Sequence, residues 1–201
     1  MLIEHRGNRP SVHESAYIAP TAVVSGDVTV GAGVRILHGA VVTAEDGPVV
    51  LGDNVVVMEN AVIRGRAGYP SLVGNSVMIG PHAHVNGSTI EADAFIATGA
   101  ALFPGSVIGK RAEVRVNGVV QIRSRLHDGA VVPIGWVAVG DPAQILSPDR
   151  HDEIWAIQRG LNFLSTVYGV GRDESMREVM SQQSDYYGAH LDDRVIDPVT
   201  G

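Results

Sequence analysis

An aliphatic residue returns every six positions along most of this chain, and that spacing leaves few folds open. The beat runs Leu51, Val57, Ile63, then after a short insertion Val73, Ile79, Val85, and on through Ile90, Ile96 and Leu102. A small residue or second aliphatic usually follows four places later, as at Val55, Ala61, Val77, Ala83, Ala94 and Ala100. Fixed-period hexapeptide self-similarity marks a solenoid, a parallel β-helix in which each unit supplies a short strand and a corner. An ordinary β-sandwich would show strict alternation with variable strand spacing instead.

The same beat is present upstream, at Ile18, Val24, Val30, Ile36 and Val42, and downstream at Ile108, Val114, Val120, Leu126 and Val132, ending near Val139-Gly140-Asp141-Pro142. Two segments break the count, Thr43–Pro48 and Arg66–Ser71, and are read as loops leaving the coil. Three hexapeptides make one triangular coil, so roughly seven coils fit between residues 17 and 140. Aromatics are only 5% of the chain, so the core has to be stacked Val, Ile, Leu and Ala, which suits a narrow rod. The organisation expected is a polar lead-in over 1–16, an all-β solenoid over 17–146 and a C-terminal helical cap and tail over 147–201.

In the tail, Ser147-Pro148-Asp149 reads as a helix start, with Ser147 as cap and Pro148 in the first turn. Ile154, Ile157 and Leu161 follow at helical spacing with Trp155 on the flank. A second helix is expected from about Asp173, carrying Met176, Val179 and Met180, and the chain from about 188 onward reads as irregular. The last coil of a solenoid is an open sheet edge that invites aggregation, so a helical cap meets a physical need, and a lid over a substrate site is the alternative role.

Composition limits the function classes. The absence of cysteine rules out disulfides and thiolate metal sites. The start MLIEHRGNRP has no apolar signal core and no run approaches the length of a membrane span, so a soluble, untargeted, cytoplasmic protein with no membrane partner is expected. A formal charge of −7 argues against nucleic acid as a partner.

The run Tyr17 to Gly31, the loop-broken coil around Gly47 to Asn54 and the ending Gly140-Asp141-Pro142-Ala143 resemble the γ-class carbonic anhydrase family, over about residues 17–165. The resemblance implies a left-handed β-helix of about seven coils, a homotrimer, and interface sites where three histidines hold zinc. Placed residue by residue, the first ligand position falls on Arg64, and the other two fall on Pro81 and Asn86 of the segment Ile79–Gly87. The family's R-G-D stands as Thr43-Ala44-Glu45, and its Q-D pair as Met58-Glu59. Proline offers no donor atom and arginine stays protonated, so the usual zinc site and ordinary zinc-dependent CO2 hydration are not expected, and no cofactor is assigned.

Coil counting stacks Thr43, Arg64 and Asn86 in one column and His38, Glu59 and Pro81 in another. The expectation is an Arg64-centred interface site that pairs with Glu59, in the same subunit or the next, and holds a small anionic or carboxylate molecule, with Thr43, Glu45 and Asn86 as further binding residues. His38 or His84 would act as acid or base, alongside Glu59 and Arg64 as the catalytic set. A structural Arg64–Glu59 salt bridge is the plainer reading. If zinc is bound at a relocated site, His38, His82 and His84 are its candidates, although His82 falls at a coil corner. The alternatives are a CoA-dependent acyltransferase, with Arg111, Arg115, Arg123 and Arg125 meeting the CoA phosphates, and a non-catalytic trimeric scaffold. Whether the protein is an enzyme, lyase-like or acyltransferase, stays open at this stage.

Overall fold

The structure, a computed structural model, describes residues 1–171 and 174–196. It is a left-handed parallel β-helix of about eight turns with a distinct C-terminal helical region. Its short strands fall into one sheet of ten and two of seven. Because each strand pairs with the strand one coil on, the apolar beat becomes continuous inward columns, as where Val42, Ile63 and Val85 pair in register and are each fully buried. A third-face column runs through Ile36, Val57, Ile79 and Ile96 in the same way. Each buried Leu or Ile in these columns contributes about 1.5–3 kcal/mol relative to exposure, and only its two neighbouring coils share it.

The sequence count of about seven coils, beginning at Tyr17, falls one short. Residues 1–16 form two sides of a first coil whose third side is Tyr17–Ile18: Leu2–Glu4 pairs with Val23–Ser25, Ser11–Val12 with Val28–Val30, and Tyr17–Ile18 with Arg35–Ile36. A loop closed by the His5–Asn8 bridge hides the six-residue beat there. The insertions at Glu45–Pro48 and Arg66–Pro70 leave the rod at the same corner, between the ten-stranded sheet and the sheet that contains Val49–Leu51 and Ser71–Val73. All three interruptions of the repeat therefore gather on one edge.

The tail begins with a 3-10 turn, Pro148–Arg150, in which Ser147 makes no side-chain capping bond, contrary to the cap expected of it. Helix α1 (His151–Gln158) then packs Ile154 and Ile157 against Val139 and Leu146 at the end of the rod, and Trp155 stays half exposed. Helix α2 (Phe163–Tyr168) follows, and α3 (Met176–Tyr187) is opened by a reciprocal capping box between Ser175 and Glu178. Asp173, where the sequence suggested a start, lies outside the described residues. Residues 188–196, expected to be irregular, form a 3-10 turn, Gly188–Asp192, that leads to a strand, Arg194–Ile196, paired antiparallel with Leu2–Glu4. The described part of the tail thus leaves from the last coil and returns to the first. The two edges of the ten-stranded sheet are the three-residue antiparallel strands Gln144–Leu146 and Arg194–Ile196, and edges this short are poor templates for edge-to-edge association.

Candidate functional site

Three parallel strands, Val41–Ala44, Val62–Gly65 and His84–Asn86, place Thr43, Arg64 and Asn86 on successive rungs. Inward residues Val42, Ile63 and Val85 alternate with them, so the polar three share the outer side of the sheet. They are not simply solvated, for Thr43 is 5% and Asn86 4% exposed. The returning tail lies over this face: Arg64 Nη1 donates to the Tyr187 hydroxyl at 3.5 Å, and its guanidinium sits 5.9 Å from the Tyr187 ring centre.

The carboxylate beside Arg64 within the chain is Glu45, not Glu59. Glu45 Oε1 lies 3.8 Å from Arg64 Nε and accepts from the Thr43 hydroxyl at 3.2 Å. Glu45 follows Thr43 by two residues on the corner next to the Arg64 strand. Glu59 sits beyond Val57 on a different face and corner, which is why the pairing read from the sequence does not form within one chain.

Sequence reasoning missed His5, Tyr187, His190 and Asp193. His190 Nε2 lies 3.0 Å from Glu45 Oε2, and the His190 ring stacks on that of His5 with centres 4.3 Å apart. Asp193 bridges the two histidines, one oxygen to each Nδ1. His5 falls in the stretch that reads as a lead-in and His190 in the one that reads as an irregular tail, and no local spacing links residues from the two ends of a chain. Burial alone would lower the His190 imidazolium, but its bond to Asp193 and the charges of Glu45 and Asp193 outweigh this and raise it.

The three histidines singled out from the sequence, His84, His82 and His38, are not part of this cluster. His84 shares the site face and its ring stands 6.4 Å from Phe103. Burial first, and the Arg64 charge second, hold its pKa below the usual histidine value, so it is a neutral base near pH 7. His82 is an exposed corner residue with φ of 57°, and His38 pairs with Thr21 Oγ1 at 2.8 Å. Among the described residues the one group that converges at metal-binding distance is His5, Glu45 and His190; His38, His82 and His84 do not converge within one chain. The zinc positions implied by the γ-class resemblance hold a guanidinium, a proline and an amide, a donor set that does not fit a cation.

Four buried polar atoms on or beside this face have no hydrogen-bond partner among the described residues: Ser25 Oγ, on the rung before Thr43, His5 Nε2, Arg64 Nε and Asn86 Oδ1. Buried polar atoms are nearly always paired, so four unpaired ones along this face are an unusual concentration.

No family model matches the chain. It is 30% identical over 180 residues to mitochondrial γ carbonic anhydrase 2 of Arabidopsis thaliana, an alignment covering 85% of this chain and 62% of that protein. It is also 30% identical over 145 residues to the carnitine operon protein CaiE of Escherichia coli K12, covering 72% of this chain and 71% of CaiE. This chain spans about three fifths of the length of the Arabidopsis relatives, 62% and 58% of the two γ carbonic anhydrases. Among solved structures, a hexapeptide transferase family protein from Anaplasma phagocytophilum superposes with a TM-score of 0.54 at 21% identity, covering 95% of each chain, which supports the fold alone. The register of the hexapeptide columns and the alignment with CaiE agree, and the chain belongs to the hexapeptide-repeat superfamily of left-handed β-helix proteins that includes CaiE and the γ carbonic anhydrases.

Proposed function

We propose that the protein binds a small carboxylate at Arg64, on a face where a γ-class zinc site has been replaced, and that His84 serves as the base for chemistry on it. The observation that carries this reading is the pairing of a part-exposed guanidinium, 28% exposed at the side chain, with a buried Nε that has no hydrogen-bond partner. Glu45 at 3.8 Å holds the guanidinium by charge without consuming that donor. A carboxylate would take the free donors bidentately, and the neighbouring Asn86 oxygen favours a ligand that also carries an O–H or N–H. His84, neutral and on the next rung, is placed to move a proton at that ligand.

The assembly proposed is a homotrimer held through the third face, since the returning tail covers the Arg64 face. Exposed Met78, Phe95 and Ile134, at 40%, 39% and 66%, form an apolar stripe there that supports such a contact. The test is titration of the untagged full chain with acetate, lactate and bicarbonate, followed by calorimetry, with sedimentation giving the oligomer. Arg64→Ala should abolish binding and Arg64→Lys weaken it about tenfold through loss of the fork geometry. Carboxylate binding that survives Arg64→Ala overturns the reading, and a trimer that dissociates with Arg64→Ala makes Arg64 structural.

A second reading, acyl transfer from CoA, is favoured by one observation. Met58, Met78, Phe95, Val116 and Ile134 line an apolar groove that could seat a pantetheine or acyl chain, with Arg115 at its rim. Three of the four arginines considered for CoA phosphates are engaged internally: Arg115 with Glu113, Arg123 with the Tyr69 hydroxyl and Arg125 with Asp141. Release of free thiol from acetyl-CoA, lost in Phe95→Glu but kept in Arg64→Ala, would select this reading over the first.

A further inference from the structure

Asp193 decides which ring nitrogens of the two stacked histidines carry protons. A carboxylate only accepts, so Nδ1 of His5, at 2.6 Å, and Nδ1 of His190, at 2.9 Å, both donate to it. Both Nε2 atoms then face one oxygen, Oε2 of Glu45, at 4.0 Å from His5 and 3.0 Å from His190. In neutral rings those nitrogens are acceptors, and an acceptor against a carboxylate oxygen is repulsive. Protonating His190 alone makes its Nε2 a donor to Glu45 at 3.0 Å but leaves the buried His5 Nε2 without a partner, and protonating both rings would stack two imidazolium ions with centres 4.3 Å apart. One cation shared among the three atoms removes both conflicts.

We propose that His5 Nε2, Glu45 Oε2 and His190 Nε2 form a binding site for a divalent first-row transition metal of the zinc type, with Asp193 orienting both imidazoles. Ligands about 2.0–2.2 Å from a tetrahedral zinc ion stand about 3.4 Å from one another. The three donor atoms all lie within 4.8 Å of each other, and the two distances to Glu45 fall on either side of that spacing, so small side-chain movements close the site. A carboxylate accepting from the far nitrogen of a metal-bound histidine is the usual support for such a ligand, and here one carboxylate supports two. Two nitrogens and one oxygen favour zinc, cobalt or nickel over magnesium and calcium. His190, 37% exposed at its side chain, provides the way in.

Arg64 touches the other oxygen of Glu45, and the two negative charges of Glu45 and Asp193 outweigh its positive one. The site uses none of Arg64, Pro81 and Asn86, lies within one chain, and does not rest on the carboxylate reading of Arg64. Its structural consequence is specific. His5 belongs to the first coil, Glu45 to the loop of the third, and His190 to the returning tail, so a bound metal pins the tail to the rod.

The test is titration of the untagged, chelator-treated full chain with Co2+ and with Zn2+, by visible absorption and calorimetry. One metal per chain is expected, with the intense d–d bands of four-coordinate cobalt. His5→Ala and His190→Ala should each abolish those bands, and Asp193→Asn should weaken affinity about 10- to 100-fold. His190 lies outside the β-helix, so His190→Ala keeps the rod intact by circular dichroism even if His5→Ala does not fold. Arg64→Gln should keep metal binding, which separates this site from the carboxylate site. No cobalt binding by the wild-type chain, or binding unchanged in His190→Ala, overturns the proposal.

Discussion

His5 and Asp193 are 188 positions apart in sequence and joined by a hydrogen bond of 2.6 Å. With the adjoining antiparallel pairing of Arg194–Ile196 on Leu2–Glu4, that bond ties the tail to the first coil. Asp193→Ala leaves the buried His5 Nδ1 without its acceptor, a loss of about 1–3 kcal/mol. Because the core columns are untouched, the loss should be local. Limited proteolysis and hydrogen exchange should show residues 188–196 opening first, with the thermal transition of the β-helix little changed. Uniform destabilisation of the whole chain would show that the tail and rod unfold as one unit.

The His84 pKa sets a pH dependence of known sign. Its folded-state pKa is lowered from 6.5, by burial first and by Arg64 second. The unfolded chain therefore binds the proton more readily, and the stability this group contributes is fully present above pH 6.5 and is lost as pH falls through the folded value. Arg64→Gln removes only the lesser cause. The ring titration of His84 followed by NMR should move upward in that variant yet stay below 6.5. A titration unmoved by the substitution would separate His84 from Arg64 and remove it as the base.

Ile79 is fully buried in the third-face column between Val57 and Ile96. Ile79→Ala should cost about 2–5 kcal/mol, because a rigid stack of coils collapses little around a cavity. Met78→Ala, one residue away on the outer side and 40% exposed, should cost much less in the isolated chain. Chemical denaturation of both variants checks the inward–outward assignment of the beat.

The fold was legible because every coil repeats one local rule, an inward aliphatic followed by a corner, and rules that repeat are visible without tertiary information. The Thr43–Arg64–Asn86 ladder was legible for the same reason, since register follows from counting. His82 also fell where the count put it, on a corner with φ of 57°. The first coil was missed because the loop after His5 hides the beat, just as the insertions after Ala44 and Gly65 do. The histidine and carboxylate cluster was not legible at all. It depends on where a tail of almost fifty residues comes to rest, and the packing of α3 and the strand after it is a long-range fact that no local pattern encodes. The one available cue was a set of polar residues, His5, His190 and Asp193, lying outside the repeat.

Gly65 links the fold to the site. A Cβ there would press on the carbonyl oxygens of Gly47 and Pro48, both main-chain atoms of the loop that carries Glu45. A side chain could rotate aside, but a loop backbone has to move as a whole. Gly65→Ala should therefore cost about 1–3 kcal/mol from overpacking and shift Glu45 away from Arg64 and His190. Gly68, in the next loop on the same edge, is the control: its φ is +72° but nothing lies within 4 Å of an added Cβ. Gly68→Ala should carry a backbone penalty of about 1 kcal/mol and leave the Glu45 contacts in place. Denaturation midpoints together with cobalt and carboxylate titrations of the two variants give the answer. Loss of both ligands in Gly65→Ala alone shows that the close approach of these loops sets the position of Glu45, and equal retention in both variants shows that Glu45 is held by its polar partners instead.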